Sequence, residues 1–158
     1  MPQIYEGKLD AKGFKFAVIV GRFNDFITER LMSGAIDVLL RHNASEKDID
    51  IIKVPGSYEI LFAAKKAAEL KKYDAIIAIG AIIRGSTSHF DFLASTVTSQ
   101  LAAIGLDNNV PVSSGVITTE TIEQAIERAG SKAGNRGGEA AFSAIEMANL
   151  AKSLSKKR

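Results

Sequence analysis

The stretch that decides the fold is AIIAIGAIIRGSTSHFDF, residues 75–92. Its first nine residues are apolar apart from one glycine, which is typical of a parallel strand covered on both faces. A glycine, three hydroxyl residues and a histidine then occupy the expected turn from strand to helix. The exposed amides of Gly85, Ser86 and Thr87 can hold a phosphate there, and His89 can move protons on the bound molecule.

A second interpretation of the same turn needs no ligand. Ser86, Thr87 and Ser88 belong to the residue types that commonly cap a helix, and His89 then only decorates its first turn. The turn alone does not separate an anion site from a helix cap, so both interpretations stay open at this point.

Strand-like and helix-like patterns alternate along the rest of the chain. Short apolar or β-branched runs predict four strands at residues 14–20, 49–54, 75–79 and 110–117. Amphipathic or alanine-rich segments predict helices at 26–42, 58–70, 90–104, 119–129 and 138–154, with a glycine-rich link at 130–137. This order predicts a parallel sheet with right-handed crossovers and helices on both faces.

The N-terminal segment, residues 3–9, precedes the first of these units and carries Ile4, Tyr5 and Leu9. It is a candidate strand without a place in the predicted sheet. A spare strand needs a partner edge, and the sheet of another subunit can supply one. We therefore expect an intersubunit strand.

Composition limits the classes of protein and of partner. A chain of 158 residues with 46% hydrophobic residues suits one domain, residues 1–158. The absence of cysteine removes disulfides and thiolate nucleophiles. The N-terminus has no signal pattern, and no apolar run approaches the ~20 residues of a membrane span, so we expect a cytoplasmic protein without a membrane partner.

The charge balance does not indicate a nucleic-acid partner. Net charge is only +2, and the single basic cluster is Lys152, Lys156, Lys157 and Arg158. We interpret this cluster as a solvated helix end rather than a nucleic-acid patch.

Glycine, polar and aromatic residues gather where the predicted strands end. Ligands of open α/β sheets bind at the carboxyl edge, so the loops that follow the strands are expected to meet there. These loops contain residues 21–24, 54–59 and 80–89, and the fourth strand closes with residues 113–118. We therefore predict a small-molecule site at this edge.

Three groups of loop residues have both a binding interpretation and a structural one. Phe23 can stack on a planar heterocycle or serve as the hydrophobic staple of the next helix. Ser57 and Glu59 can hydrogen-bond a ligand or cap the helix that begins there. Residues 81–83 can offer main-chain groups to a ligand or complete the strand.

Arg128 has no acidic residue at the helical positions three and four residues away. A helix through residues 119–129 would carry it about 15 Å from its own strand end, since each residue rises 1.5 Å. Arg128 is therefore either an ordinary surface arginine or part of a site shared between subunits.

Several familiar chemistries are excluded or weak. Residues 80–87 approach the spacing of a nucleotide phosphate loop, but Ser86 stands in place of the required lysine. Neither a GxGxxG dinucleotide fingerprint nor a GxSxG nucleophile elbow occurs. His42 and His89 lie on separate segments without a ligand cluster, so we expect no metal site.

Five motifs spread over the whole chain resemble those of the 6,7-dimethyl-8-ribityllumazine synthase family. They are GRFN at 21–24, VPGSYE at 54–59, IRGSTSHF at 83–90, GVIT at 115–118 and TIEQAIERAGSKAGNRG at 121–137. The resemblance implies a transferase of riboflavin biosynthesis that condenses 5-amino-6-(ribitylamino)uracil with 3,4-dihydroxy-2-butanone 4-phosphate, losing phosphate and water. It implies neither a cofactor nor a metal.

The resemblance also implies roles for individual residues. His89 matches the proton-transfer residue of the family. The pyrimidine substrate would be bound by Phe23, Ser57, Tyr58, Glu59, Ala81, Ile82, Ile83 and Ser114. The phosphate of the second substrate would be held by Gly85, Ser86, Thr87 and, from the adjacent subunit, Arg128. Behind them, Asn24, Arg136 and Glu139 would form a second layer of support.

The fold implied by the resemblance is a flavodoxin-like three-layer α/β/α sandwich with a four-stranded parallel sheet and active sites between the subunits of a pentamer. The short link at 130–137 resembles that of relatives that build icosahedral shells from twelve pentamers. We therefore expect a 60-subunit shell, with a free pentamer as the alternative. A riboflavin synthase guest inside the shell is a further expectation.

Two residues depart from the family pattern. Ser114 stands where relatives usually carry phenylalanine against the pyrimidine, so that wall is expected to be more open or more polar. Arg136 stands where lysine is frequent, which keeps the charge but changes the hydrogen-bond geometry. Three alternatives stay open: a flavin- or lumazine-binding carrier without turnover, which Ser114 favours, a shell protein with a vestigial site, and a flavodoxin-like redox protein.

Overall fold

Four parallel strands form the main sheet of the computed structural model, which describes residues 1–131 and 134–156. They are β1 (Phe16–Gly21), β2 (Ile49–Val54), β3 (Ala75–Ile83) and β4 (Val112–Thr119). Their order is β2-β1-β3-β4, so β1 and β3 are central. Every residue of β1 is buried, as expected for an apolar strand covered on both faces.

Within the described residues, five α-helices cover the faces of this sheet. They are α1 (Asp25–Arg41), α2 (Ser57–Glu69), α3 (His89–Asn108), α4 (Ile122–Arg128) and α5 (Arg136–Ser155). Side chains of α1, α4 and α5 share one core with Val18 of β1, whereas those of α2 and α3 share the other with Ile19. The predicted three-layer α/β/α fold is thus confirmed. In the same part of the chain, no helix combines the length and apolarity of a membrane span.

Both β3 and β4 end later than their sequence patterns predict. Residues 80–83 extend β3 because they remain paired with β4. The start of β4 shifts from residue 110 to Val112, since Val110 donates its N–H to Gly105 at the end of α3 and Pro111 has no N–H. As a result, Ser114 pairs with Ala78 near the start of β4, away from the carboxyl end of that strand. The prediction that it lies at the carboxyl edge was wrong.

The glycine-rich link contains a small antiparallel hairpin, β5 (Ala129–Ser131) with β6 (Gly134–Asn135). The helix before it begins at Ile122 rather than 119, because β4 continues to Thr119 and the Thr121 hydroxyl accepts the N–H of Gln124 at 3.1 Å. The helix after it begins at Arg136 rather than 138. Residues 132–133 of the link, and Lys157 and Arg158 of the basic cluster, lie outside the described residues.

The start of α5 approaches α1 very closely. Asn135 caps α5, because its Oδ1 accepts the N–H of Gly138 at 3.0 Å, and its Nδ2 donates to the carbonyl of Arg30 in α1 at 3.0 Å. Gly137 is so near that a Cβ at this position would overlap the backbone oxygen of Leu31. The close packing of α5 against α1 therefore depends on a residue without a side chain.

The N-terminal segment, residues 3–9, forms no strand within the described chain. Its apolar side chains Ile4 and Leu9 are 75% and 49% exposed. The pairing of this segment with the sheet of another subunit stays a prediction.

Candidate functional site

A cavity of about 450 Å³ opens at the carboxyl edge of the sheet, and we call it the loop cavity. The loops after β1, β2 and β3 and the first turns of α2 and α3 form its walls. Its lining residues are Phe23, Pro55, Gly56, Ser57, Tyr58, Glu59, Ala81, Ile82, Ile83, Gly85, Thr87, His89, Phe90 and Leu93. The volume suits a small molecule, since such sites typically measure roughly 300–1,000 Å³.

The loop between β1 and α1 presents Phe23 at this cavity. The N–H groups of Arg22 and Phe23 donate to the carbonyls of Val54 and Pro55 at 2.8 and 2.9 Å, so the pairing of β1 with β2 continues into the loop. Asn24 adopts a left-handed conformation (φ 63°) and its Nδ2 lies 3.4 Å from the carbonyl of Ala81. The Phe23 side chain is 73% exposed, which argues against a hydrophobic staple and leaves the ring face accessible.

The first turn of α2 brings Ser57, Tyr58 and Glu59 to the same cavity. The N-cap of α2 is Gly56, so the interpretation of Ser57 as the cap was wrong. Ser57 is buried, and a Cβ at Gly80 of β3 would lie only 2.7 Å from its Oγ. Gly80 therefore allows α2 to start close to the sheet.

The loop between β3 and α3 forms the third wall. α3 begins at His89, whose N–H lies 3.3 Å from the Thr87 hydroxyl oxygen, while Ser88 makes no side-chain cap hydrogen bond. Helix capping therefore explains the presence of Thr87 but not that of Ser86 or Ser88. In residues 1–131 and 134–156, the amides of Gly85 and Ser86 have no hydrogen-bond acceptor, as an anion site at a helix start requires.

Sequence reasoning missed two residues of this wall, Phe90 and Leu93. Their periodicity assigned them to the buried face of α3, yet both also line the loop cavity and are only partly buried. The signal was the spacing itself, because Leu93 lies one helical turn after His89 and shares its face.

A second cavity, of about 440 Å³, lies between β4 and α5, and we call it the edge cavity. Its lining residues are Ser113, Ser114, Gly115, Val116, Ile117, Thr118, Arg128, Arg136, Glu139, Ala140 and Ser143. Because β4 is at one edge of the main sheet, this cavity opens away from the loops after β1 and β2. Four of the predicted site residues lie here, namely Ser114, Arg128, Arg136 and Glu139.

The cations of the edge cavity differ in how they are paired. Arg136 Nη1 donates to Glu139 Oε2 at 2.8 Å, within the first turn of α5. Nη1 of Arg128 is buried and has no hydrogen-bond partner in the part of the chain that the structure describes. An unpaired buried guanidinium N–H costs free energy, so this group is suited to an acceptor supplied from outside the chain.

The structure thus distributes most of the predicted site residues between two cavities, while Ser86 lines neither of them. The loop cavity contains the aromatic, carboxylate and histidine groups, and the edge cavity contains Ser114, Arg128, Arg136 and Glu139. Asn24 lies behind the loop cavity, against Ala81. Arg128 and His89 therefore line two different cavities of one chain.

Comparison with known proteins agrees with these motifs. The family described as 6,7-dimethyl-8-ribityllumazine synthase matches residues 13–152. A protein of Desulfosudis oleivorans (strain DSM 6200 / JCM 39069 / Hxd3) named 6,7-dimethyl-8-ribityllumazine synthase is 56% identical over 156 residues, which cover 99% of each chain.

Proposed function

Because the chain belongs to the 6,7-dimethyl-8-ribityllumazine synthase family, we propose that it condenses 5-amino-6-(ribitylamino)uracil with 3,4-dihydroxy-2-butanone 4-phosphate in riboflavin biosynthesis. The observation that carries the proposal is the full-length match combined with the loop cavity, in which the residues of three family motifs meet. The products are 6,7-dimethyl-8-ribityllumazine, one phosphate and two molecules of water.

We infer that each active site is completed by a neighbouring subunit. The loop cavity holds Phe23 and His89, whereas Arg128 lies in the edge cavity. Arg128 also has a buried N–H group without a partner in the described chain. Placing the edge cavity of one subunit against the loop cavity of the next would bring these groups together and give Arg128 its acceptor.

The pyrimidine substrate fits the part of the loop cavity nearest to β1 and β2. The exposed ring of Phe23 offers a stacking face for the heterocycle. Ser57, Tyr58 and Glu59 offer hydroxyl and carboxylate groups to ring N–H groups and the ribityl chain, and Ala81, Ile82 and Ile83 offer main-chain groups. From the neighbouring subunit, Ser114 would leave one wall of the pocket open.

The phosphate substrate fits the start of α3. The open amides of Gly85 and Ser86 and the helix dipole favour an anion there, next to the Thr87 hydroxyl. Arg128 from the neighbour would add a planar pair of N–H donors, which match a phosphate better than a single ammonium group does.

The chemistry requires alignment more than acid or base strength. The pyrimidine amine attacks the butanone carbonyl to form an imine with loss of one water, after which phosphate leaves and the ring closes with loss of a second water. Orientation of two bound reactants can lower a barrier by about 7–11 kcal/mol, whereas a general acid or base contributes roughly 10²- to 10⁴-fold in rate. Residues that position the substrates should therefore matter at least as much as His89.

Substitution of His89 by alanine is expected to lower kcat by roughly 100-fold without abolishing turnover, because proton transfer can still pass through water. Steady-state rates with both substrates measure this effect. The matched control is His42→Ala, since His42 lies at the end of α1, where its Nδ1 is 2.7 Å from the Val38 carbonyl. Equal loss of kcat in the two variants would argue against a role for His89 in the reaction.

The experiment that tests the function is a two-substrate assay with inorganic phosphate measured alongside the lumazine product. The proposal requires one phosphate released for each lumazine formed. Binding of lumazine or flavin without phosphate release would instead indicate the carrier, and a tightly bound flavin mononucleotide would indicate the redox protein.

We propose that the subunits assemble into pentamers and that twelve pentamers form a hollow cytoplasmic shell with room for a riboflavin synthase guest. The exposed apolar residues Ile4 and Leu9 of the N-terminal segment support an intersubunit strand. Light scattering of the purified protein is expected to give twelve times the mass of a pentamer. The mass of one pentamer would refute the shell, and a fully active monomer would refute the shared site as well.

A further inference from the structure

Arg84 follows the last residue of β3. It directly precedes the loop from Gly85 to Ser88, which is proposed to bind the substrate phosphate and which we call the phosphate seat. Its neighbours Ile83 and Gly85 line the loop cavity, whereas Arg84 itself does not. Its N–H donates to the Thr119 carbonyl at 2.9 Å, one step beyond the last paired residues of β3 and β4. The backbone of Arg84 is therefore anchored to the sheet, and its side chain does not line the loop cavity.

The Arg84 side chain connects the sheet to α3. Its Nη2 and Nη1 donate to Oδ1 and Oδ2 of Asp91 at 3.0 and 3.3 Å, which is a two-pronged arginine–carboxylate pair. Its Nε donates to Oε2 of Glu120, directly after β4, at 2.5 Å. The guanidinium carbon also lies 4.4 Å from the ring centre of Phe90.

These contacts hold both ends of the phosphate seat. The loop from Gly85 to Ser88 starts at the anchored backbone of Arg84 and ends at α3, whose first turn contains His89, Phe90 and Asp91. Because Arg84 contacts both Phe90 and Asp91, it fixes the position of His89. That position is defined relative to the unpaired amides of Gly85 and Ser86. The ends of β3 and β4 and the start of α3 thus meet at one side chain.

The charge of Arg84 also affects what the seat can bind. Asp91 lies in the first turn of α3, where a carboxylate suits the helix dipole but repels a bound anion. The Arg84 guanidinium is always protonated, so it offsets this negative charge. The hydrogen bonds that Arg84 donates to Asp91 and Glu120 raise the pKa of Arg84 above its ordinary value.

Global stability is not the main effect of this cluster. The side chains of Arg84, Asp91 and Glu120 are 36%, 59% and 59% exposed, and ion pairs at such exposure contribute little to folding. The effect of the cluster is therefore expected at the adjacent loop, where small displacements matter for binding.

We propose that Arg84 is a positioning residue, which holds the phosphate seat and His89 in place and offsets the charge of Asp91 beside the bound phosphate. The proposal rests on the proposed function, because it assumes that a phosphate-bearing substrate occupies this loop. No contact between Arg84 and the substrate is required.

The test compares Arg84→Gln and Arg84→Lys with Arg41→Gln, a matched control on α1. Arg41 makes a similar exposed pair, with its Nε 2.9 and 3.0 Å from the two Asp37 oxygens, outside both cavities. We expect Arg84→Gln to raise KM for the butanone phosphate roughly tenfold, while KM for the pyrimidine and the Tm match those of Arg41→Gln. Arg84→Lys keeps the charge but loses the planar pair of N–H donors. Its KM for the butanone phosphate is expected to lie between those of the unmodified protein and Arg84→Gln.

The double variant Arg84→Gln/Asp91→Asn separates the charge effect from the geometric one. Removal of the unpaired carboxylate is expected to return part of the lost affinity, so its KM for the butanone phosphate should be lower than that of Arg84→Gln. An equal rise of both KM values accompanied by a lower Tm would show a merely structural role and overturn the proposal. An unchanged KM for the butanone phosphate in both Arg84→Gln and Arg84→Lys would overturn it too.

Calorimetric titration of the assembled protein with inorganic phosphate distinguishes failure of this proposal from failure of the proposed function. Weaker phosphate binding in Arg84→Gln than in Arg41→Gln supports the positioning role even if the two-substrate assay detects no lumazine. Equal phosphate binding in these variants, together with normal lumazine formation by the unmodified protein, overturns the positioning role and leaves the function intact.

Discussion

Substitution of Arg128 by alanine is expected to lower kcat/KM for the butanone phosphate by roughly 100-fold or more, at least as much as His89→Ala. The reason is that one N–H of Arg128 is already buried without a partner in the described chain, so its desolvation cost is present before the substrate binds. Loss of one member of a buried, hydrogen-bonded charge pair typically costs about 2–5 kcal/mol. Steady-state rates at varied butanone phosphate measure the loss.

Arg128→Lys is the conservative companion of this variant. It keeps the positive charge and loses the planar pair of donors, so its kcat/KM should fall between that of the unmodified protein and that of Arg128→Ala. Full activity of Arg128→Ala would reject Arg128 as the phosphate anchor. A rise in KM for the pyrimidine alone would reject the assignment as well.

Mixed assemblies show whether Arg128 acts across a subunit boundary. If subunits carrying Arg128→Ala are refolded together with subunits carrying His89→Ala, about a quarter of the sites should receive an intact His89 from one subunit and an intact Arg128 from its neighbour. Activity well above that of either variant alone is the expected result. A mixture no more active than its components would mean that the two residues do not share a site between subunits.

Gly137→Ala is expected to destabilise the protein by about 3 kcal/mol, although alanine favours helices over glycine by about 1 kcal/mol. The added Cβ would overlap the backbone oxygen of Leu31, and no rotamer change can relieve an overlap with backbone. The helices α1 and α5 would have to separate, which would also displace Arg136 and Glu139 of the edge cavity. Urea unfolding followed by circular dichroism measures the change in stability.

The adjacent substitution Gly138→Ala provides the matched control. A Cβ there would lie 3.3 Å from Cγ2 of Val38 and 3.5 Å from the backbone oxygen of Gly34. A side-chain methyl group can move by a few tenths of an ångström, so Gly138→Ala should cost much less. If the two variants had equal midpoints, the close approach of Gly137 to α1 would not limit the packing of these helices.

The order of strands and helices could be predicted from the sequence, because it depends on local patterns. The continuous apolar runs of β1 and β3 and the spacing of Leu31, Ala35 and Leu39 along α1 reflect which side chains enter the core. Such periodicity survives in the sequence without knowledge of the partner. The start of β4 was less predictable. Asn109 caps the end of α3 and Val110 donates its N–H to Gly105 of that helix, which the strand pattern alone does not show.

The candidate site was predictable to the extent that its residues are contiguous. Glycine and polar residues directly after β1, β2 and β3 indicated the loop cavity, because the carboxyl ends of parallel strands meet at one edge. Only the exposure of Phe23 in the structure argued against its role as a hydrophobic staple. Only the position of Gly56 as the N-cap of α2 excluded that role for Ser57. Both roles use the same residue types as binding, so composition could not distinguish them.

By itself, the sequence determined the layered α/β architecture, the family and the chemical groups available at the strand ends, because these depend on residue type and on neighbours along the chain. Only the tertiary structure decided that Ser114 lies opposite Ala78, that Arg128 and His89 line different cavities, and that Arg84 joins Asp91 to Glu120. Those features depend on the register between strands and on the close approach of helices at glycine. Both are relations between distant parts of the chain, which no local sequence pattern encodes.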